Sequence, residues 1–467
     1  MIEENIILKT DSYKVSHWRQ YPKGITHQYS YFESRGGEYP DVLFFGLQYY
    51  LKRYLIGSVV TQEKIEDADK LFRAHFGQDI FNREGWEYIL KKHDGRLPIV
   101  IKAVAEGTIV PTKNVLFTVE NTDPKCFWLT SYLETLLEKT WYACTVATKS
   151  HNQKQVIKKF LELSGNDIPD FKLHDFGYRG STSEESAGIG GLAHLISFKG
   201  TDTLEAITFA QKYYNQKDMP AFSIPAAEHS TITSWGKDHE KEAYENMLDQ
   251  FPKGLVAVVS DSYDIFNAVQ NIWGKELRDK VEKREGVLVI RPDSGDPNKV
   301  VPEVLALLGA RFGYTKNEKG YKVLPAYLRL IQGDGIDYEA LPSVLEAIVA
   351  DGWSTDNIAF GSGGGLLQKV NRDTLRFAYK CSNVTINGED HGVSKNPVTD
   401  TTKKSKEGKL ALIRLNKEKL GDGLAGWATV HEKYVEEAQP DELQEVFRDG
   451  ELLIDQNFED IRKRAEG

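Results

Sequence analysis

From about residue 171 the chain repeats one pattern, and that pattern limits its fold more than any other feature. A short run rich in Val, Ile, Leu or Phe is followed by Gly, Asp, Ser or Arg and then by a helical stretch. The instances are "FKLHDFGYRG", "HLISFKGTDT", "AFSIPAAEHS", "LVAVVSDSYD", "VLVIRPDSGDP", "YLRLIQGDGID" and "NIAFGSGGG". They start at 171, 194, 221, 255, 287, 327 and 357, about one βα unit apart. Segments between them, such as "NKVVPEVLALLGARFG", carry apolar residues suited to one buried helix face. Continuous apolar runs alternating with helices imply a parallel sheet covered on both sides, so the fold class is α/β, a βα barrel of about seven parallel strands. All strand ends of a barrel share one rim, so the seven polar clusters are expected around a single cavity.

The flanks differ. Residues 97–122, "LPIVIKAVAEGTIVPTKNVLFTVENT", alternate like antiparallel strands, and "CSNVTINGEDHGV" holds an Asn387-Gly388 pair suited to a hairpin. Residues 126–164 are helical in pattern. At 467 residues the chain exceeds what one core usually supports. We expect a second, mixed α+β domain formed by the two terminal segments, 1–150 and 385–467, with the barrel, 151–384, inserted between them.

Composition removes several classes of function. No apolar stretch approaches the roughly 20 residues that span a bilayer, and the N-terminus, "MIEENIILKTDSYK", has acids where a signal peptide has bases. The expected location is cytoplasmic, with no membrane partner. Cys126, Cys144 and Cys381 are far apart, with no CxxC and no zinc-like His spacing, so they read as reduced thiols outside any disulfide framework or metal cluster. A formal charge of −10 argues against nucleic acid as a partner, although a local group of cations could still hold an anionic substrate. "KKSKEGK", Lys403 to Lys409, is such a group or simply a solvated loop.

The chemistry gathers at the strand ends. "FKLHDFGYRG" packs His174, Asp175, Phe176, Tyr178 and Arg179 into one turn, either a site or a capped turn with a surface ion pair. "NIAFGSGGGLLQK" runs from a strand through Gly361, Gly363, Gly364 and Gly365 into a helix start, where bare backbone N–H groups can approach a phosphate. Arg291, Asp293, Asp296 and Asp334 add cations and carboxylates that can hold a phosphate, ribose hydroxyls or Mg²⁺. Any one of these acids could instead cap the next helix. Their joint occurrence with a glycine cradle favours a ribose-phosphate ligand.

Taken together, "TDSYKVSHW", "HDFGYRG", "GTDT", "PAAEHSTITSWGKDHE", "VVSDSYDI", "IRPDSG", "IQGDG" and "AFGSGGGLLQK" closely resemble the nicotinamide phosphoribosyltransferases. These are type II phosphoribosyltransferases related to nicotinate phosphoribosyltransferase. The resemblance implies a homodimer with shared active sites. It also implies a pentosyltransferase reaction of NAD salvage, in which nicotinamide and phosphoribosyl diphosphate give nicotinamide mononucleotide and diphosphate with Mg²⁺.

Residue by residue, it implies that Phe176 and the partner subunit's Tyr13 stack on the nicotinamide ring and that Asp202 accepts from the carboxamide. Arg179, His229 and Arg291 then meet the diphosphate, while Asp293, Gly333 and Asp334 hold the ribose. Gly363, Gly364 and Arg372 match positions for the nucleotide's phosphate. Arg35, Lys380 and Lys395 match cations that reach a neighbouring subunit's diphosphate. His229, Arg291 and Asp293 are the expected catalytic residues. His229 is also the expected acceptor of phosphate from ATP, although a lone histidine read without the resemblance is a buried structural one. No residue is singled out for Mg²⁺. The rivals are nicotinate phosphoribosyltransferase, a phosphate-binding βα-barrel lyase or isomerase, and a nucleotide-binding protein without catalysis. Asp202 separates the first, because a carboxylate facing the ring substituent repels nicotinate.

Overall fold

The structure, a computed structural model, describes residues 4–166, 168–399, 404–415 and 426–466. The chain divides into two compact units, Met1–Thr148 with Gln211–Gln216 and Val370–Gly467, and Lys149–Ala210 with Lys217–Lys369. Among the described residues no helix is long and apolar enough to cross a membrane.

Antiparallel pairing builds the first unit. Its seven-stranded sheet runs in the order Glu389–Gly392, Phe377–Ile386, Ile25–Ser34, Val115–Asn121, Ile99–Ala103, Gln444–Arg448, Glu451–Leu452. The alternating stretch at 97–122 supplies two of these strands. Asn387 and Gly388, with φ of 52° and 86°, make the hairpin turn that their sequence predicts. Phe32 stacks on Phe117 and Phe377, with ring centroids 4.6 and 5.1 Å apart, so three adjacent strands share one aromatic layer. The chain re-enters this unit at Val370 rather than at 385, because Phe377–Ile386 pairs along Ile25–Ser34, from Phe377 opposite Ser34 to Ile386 opposite Ile25.

In the basic loop Lys406 pairs with Glu33, and Lys409 with Glu120 at 2.8 Å; Lys403 lies outside the described residues. Burial pushes the Cys126 thiol up to about 12 and that of Cys381 to about 11, and raises Cys144 as well. Ligand atoms of His93, Asp123 and Cys126 come within 4.8 Å of one another, a convergence that their sequence spacing hides. Asp123 there already accepts from the Tyr88 hydroxyl, His93 Nε2 and the Lys125 amide.

The second unit carries a six-stranded parallel sheet. Its strands are β1 (Leu173–Asp175), β2 (Gly200–Thr201), β3 (Lys253–Val259), β4 (Glu285–Arg291), β5 (Leu328–Gln332) and β6 (Ile358–Ser362). They lie in the order β2-β1-β6-β5-β4-β3. Two of the seven expected strands therefore change. The apolar run at 194 ends the helix Glu184–His194 and leaves only Gly200–Thr201 as strand; a short apolar run reads alike as a strand or a buried helix end. The run at 221 forms no strand, since Pro220 and Pro225 offer no N–H to a ladder. It instead makes one bridge to each edge of the sheet, Phe222 with Gly200 and Ala226 with Ala257.

Strand alternation gives the sheet two unlike faces. Val256, Val258, Leu288, Ile290 and Leu328 enter a large core with helix residues such as Leu305 and Leu345. Ala257, Val289 and Ile331 face the other way, in a small cluster with Phe176, Ile224 and Ala359. Helices thus cover one face of the sheet, and the other lines a cavity. We predict that Ile290→Ala costs about 2–5 kcal/mol in urea unfolding and that its neighbour Val289→Ala costs distinctly less. Equal losses would mean that both faces are packed alike.

Candidate active site

The turn after β1 is organised by a buried acid. Asp175 accepts the Gly177 amide on one oxygen at 2.7 Å and the Thr201 hydroxyl on the other at 3.0 Å, tying the turn to β2. Phe176 donates its amide to Ser362 O at 2.9 Å, which carries its ring over β6. A side chain at Gly361 would put its Cβ 1.9 Å from Phe176 Cε2, and one at Gly333 would lie 3.5 Å from the same ring and 2.7 Å from Asp293 Oδ1. Two strand ends are therefore bare where the ring and the carboxylate stand.

Beside the ring, Asp202 Oδ1 accepts from Ser223 Oγ at 2.5 Å and from His174 Nε2 at 3.0 Å. Burial would raise this carboxyl, but the His174 ring, the Ser223 hydroxyl and the Arg291 charge outweigh it and hold Asp202 below the usual carboxylate range. Phe176, His174, Asp202, Ser223 and Arg291 line one end of a cavity of about 410 Å³ whose walls are mainly apolar, with Phe222, Ile224, Leu255, Val289 and Ile331 among them.

The remaining expected residues of this unit stand at or just after the strand ends and the 221–227 segment. His229 Nε2 lies 3.0 Å from Asp261 Oδ1, and the Ser294 hydroxyl donates to Asp261 Oδ2 at 2.5 Å. A carboxylate only accepts, so Nε2 carries the hydrogen of this contact, and in the neutral ring Nδ1 has the lone pair. His229 is half-exposed, which corrects the buried structural reading. Arg291 Nη2 stands 3.4 Å from Asp293 Oδ2. Burial pushes the Asp293 carboxyl above the usual range against the pull of Arg291, and the like charges of Asp261 and Asp334 add to the rise. Arg179 is exposed, 3.8 Å from Glu228. A Cβ at Gly364 would meet nothing within 4 Å and one at Gly363 only Phe176 O at 3.6 Å, so both backbones are open to a ligand. Asp296 caps the helix Pro297–Phe312 through the Asn298 amide; for this acid the capping reading holds.

The other five expected residues belong to the first unit. Tyr13 is exposed on the 3-10 helix Ser12–Arg19. Three of the cations stand beside acids: Arg35 is 3.5 Å from Glu33, Arg372 3.3 Å from Glu138, and Lys380 3.8 Å from Glu134. The Lys395 amide donates to Ser405 Oγ at 2.7 Å.

Sequence reasoning assigned no role to His174, Ser223, Asp261 or Ser294. His174 had a signal, the two-residue spacing from Phe176 that puts both on the cavity face. Ser223 had none, because it sits on the bridging segment that is not a strand. Together the groups can hold a flat aromatic ring beside an anionic hydrogen-bond acceptor, next to cations, carboxylates and bare glycine backbone.

Comparison with known proteins gives two family matches. Residues 171–451 match the nicotinate phosphoribosyltransferase (NAPRTase) family, and residues 5–101 match the N-terminal domain of nicotinamide phosphoribosyltransferase. A protein of Xanthomonas campestris pv. campestris named nicotinamide phosphoribosyltransferase is 49% identical over 99% of this chain and 98% of its own. One of that name from Acinetobacter baylyi is 32% identical over 97% and 95%. The crystal structure of human nicotinic acid phosphoribosyltransferase aligns with a TM-score of 0.58 at 16% identity, covering 98% of this chain and 93% of that one, and so shares its fold.

The bare position under Phe176 gives a direct test. Gly361→Ala should fold, at an overpacking cost of about 1–3 kcal/mol, with the Phe176 ring displaced in its crystal structure. A ring left in place would mean that the β6 backbone yields instead.

Proposed function

The chain belongs to the nicotinate phosphoribosyltransferase family, and we propose that within it the chain converts nicotinamide and phosphoribosyl diphosphate to nicotinamide mononucleotide and diphosphate. The full-length relatives named for that reaction support this reading. The observation that carries it is Asp202, an ionised carboxyl beside the Phe176 ring in an apolar cavity. Such a group accepts from the N–H of a neutral carboxamide and repels the carboxylate of nicotinate.

The chemistry needs no strong base, because the pyridine nitrogen carries the attacking lone pair. That nitrogen bonds to the ribose C1 as the C1–O bond to diphosphate breaks, and the departing oxygen takes the bonding electrons. Phe176 fixes the plane of the pyridine, and Asp202 fixes its rotation in that plane. Arg179, Arg291 and His229 stabilise charge on the leaving diphosphate. Asp293, the Gly333 backbone and Asp334 hold the ribose, and Gly363 and Gly364 its phosphate, to which Arg372 is assigned on the family resemblance alone. Tyr13, Arg35, Lys380 and Lys395 are assigned on the family resemblance, as groups that a second copy supplies in a homodimer. The two bridges of the 221–227 segment, one to each sheet edge, support a closed seven-segment ring around the cavity.

Mg²⁺ fits the donor set at the rim. Asp293 is raised by burial and by its acidic neighbours, which favours a nearby cation. Among the described residues, Asp261, Asp293 and Asp334 do not bring three ligand atoms within 4.8 Å of one another. These acids would supply one or two carboxylates to an ion that substrate phosphates also hold. When bound, it would neutralise diphosphate charge. His229, with Nε2 held by Asp261, is proposed to take the γ-phosphoryl group of ATP on Nδ1 as ADP leaves, which would make synthesis ATP-stimulated.

Product analysis tests these assignments together. With phosphoribosyl diphosphate and Mg²⁺, nicotinamide should give its mononucleotide and nicotinate very little. ATP should raise turnover in the wild type and label it as an acid-labile phosphoprotein, but do neither in His229→Ala. Exchanged hybrids of Tyr13→Ala and Arg291→Ala should regain activity if sites are shared. Nicotinate mononucleotide as the main product would transfer the chain to the nicotinate enzymes.

A further inference from the structure

We propose that His174 and Ser223 are positioning residues that set the choice between amide and acid, by clamping one oxygen of Asp202 and leaving the other as the acceptor for a carboxamide N–H. The proposal rests on the nicotinamide reading above and extends it from one acceptor to a three-residue device and the class of substrate it admits.

Both donors converge on the same atom. Ser223 Oγ is 2.5 Å and His174 Nε2 is 3.0 Å from Asp202 Oδ1. They come from different parts of the unit, β1 and the 221–227 segment. The terminal torsion of an aspartate is broad and roughly two-fold, so an untethered carboxylate presents either oxygen. Two donors on Oδ1 remove that freedom. Since the carboxylate only accepts, both hydrogens belong to the clamp, and among the described residues Oδ2 accepts no hydrogen bond.

The imidazole is itself held. A Cβ at Gly200 would lie 2.7 Å from His174 Nδ1, so the ring rests directly on the β2 backbone. Its centroid is 4.9 Å from that of Phe176, the planes tilted by 46°. One side chain therefore touches both the stacking platform and the acceptor, and it fixes the offset between them. A substrate must match that offset with a ring and an N–H together.

The competing role for Asp202, capping the helix Leu204–Tyr213, has no hydrogen bond to support it among the described residues; the carboxylate's partners are His174 and Ser223. The same two groups also help keep the carboxylate ionised against its burial. The class admitted is thus the neutral aromatic amide with at least one N–H. Acids are repelled, and N,N-dialkyl amides lack the donor.

The test is a double-mutant cycle on the ratio of kcat/KM for nicotinamide to that for nicotinate. His174→Leu and Ser223→Ala should each lower the ratio about 10-fold, the scale of one hydrogen bond to a charged group, chiefly through KM for nicotinamide. His174→Gln, whose amide can donate from a similar place, should recover most of it. In an Asp202→Asn background neither change should lower the ratio further. N,N-dimethylnicotinamide should be a poor substrate of the wild type.

Unaltered ratios in Ser223→Ala and His174→Leu would overturn the clamp, and so would effects that persist with Asp202→Asn. If His174→Leu fails to fold, Ser223→Ala and His174→Gln decide. If the wild type forms nucleotide from neither pyridine, the catalytic reading fails. The clamp is then judged by calorimetric affinities of the two pyridines in the same variants, with the same outcomes for and against.

Discussion

The site depends on one contact between a ring and a backbone. Phe176 lies where any side chain at 361 would begin, 1.9 Å from the position of a Cβ. Only glycine leaves that space, and it does so at a strand position, where glycine otherwise weakens the sheet through its entropy and its missing side chain. The loss is offset locally by the hydrogen bond of Phe176 N to Ser362 O and by the double acceptance of Asp175, which fixes the turn from beneath. With the ring seated, Gly333 after β5, Asp293 after β4 and His174 on β1 itself take their distances from it.

That contact is possible because the two faces of the parallel sheet do different work. One face carries Val258, Leu288 and Ile290 into the large core beneath the helices, where burial supplies the stability. The other face is thin. Ala257, Val289 and Ile331 line a cavity rather than fill it, and four strands place a candidate site residue at or just after the last inward step of the same alternation. Phe176 after β1, Arg291 on β4, Gly333 after β5 and Gly361 on β6 are such positions. Binding and folding are thus separated by a period of two, and a shift of one residue in any strand would exchange them.

The same period explains how much could be read beforehand. The βα rhythm, the Asn387-Gly388 hairpin and the Asp296 cap are local signals, each set by a few consecutive residues, and they were legible. β2 was not, because two residues carry no periodicity and the apolar run before it closes a helix. The 221 segment looked like a strand by composition, yet Pro220 and Pro225 restrict it to single bridges. Phe377–Ile386 was misplaced because its partner, Ile25–Ser34, lies hundreds of residues earlier, and no local pattern reports such a pairing. In the site the residue types were legible where motifs held them together, but partnerships were not. Asp202 could have been a cap, and only the fold brings His174 and Ser223 onto its oxygen. Asp261 stood in plain view in "VVSDSYDI", but its purpose depends on His229 and Ser294, which are distant in sequence.

Two carboxyls at one rim are pushed in opposite directions, and the chemistry calls for both. Asp202 is held below the ordinary range by His174, Ser223 and Arg291, so it stays anionic and directional toward a neutral amide. Asp293 is pushed above it by burial and by Asp261 and Asp334, so its anion is only partly compensated by Arg291 beside it. On the proposed reading, positive charge arrives there as the oxocarbenium character of the ribose when the leaving group departs. An acid that is poorly compensated in the resting site gains most at that moment, which is differential stabilisation of the transition state. Exchanging the two environments would weaken both tasks. A neutralised Asp202 would no longer reject an acid, and a fully paired Asp293 would have no interaction left to strengthen. The opposed shifts follow from unlike neighbours, the His174 and Ser223 donors on Asp202 and the burial of Asp293 beside Asp261 and Asp334.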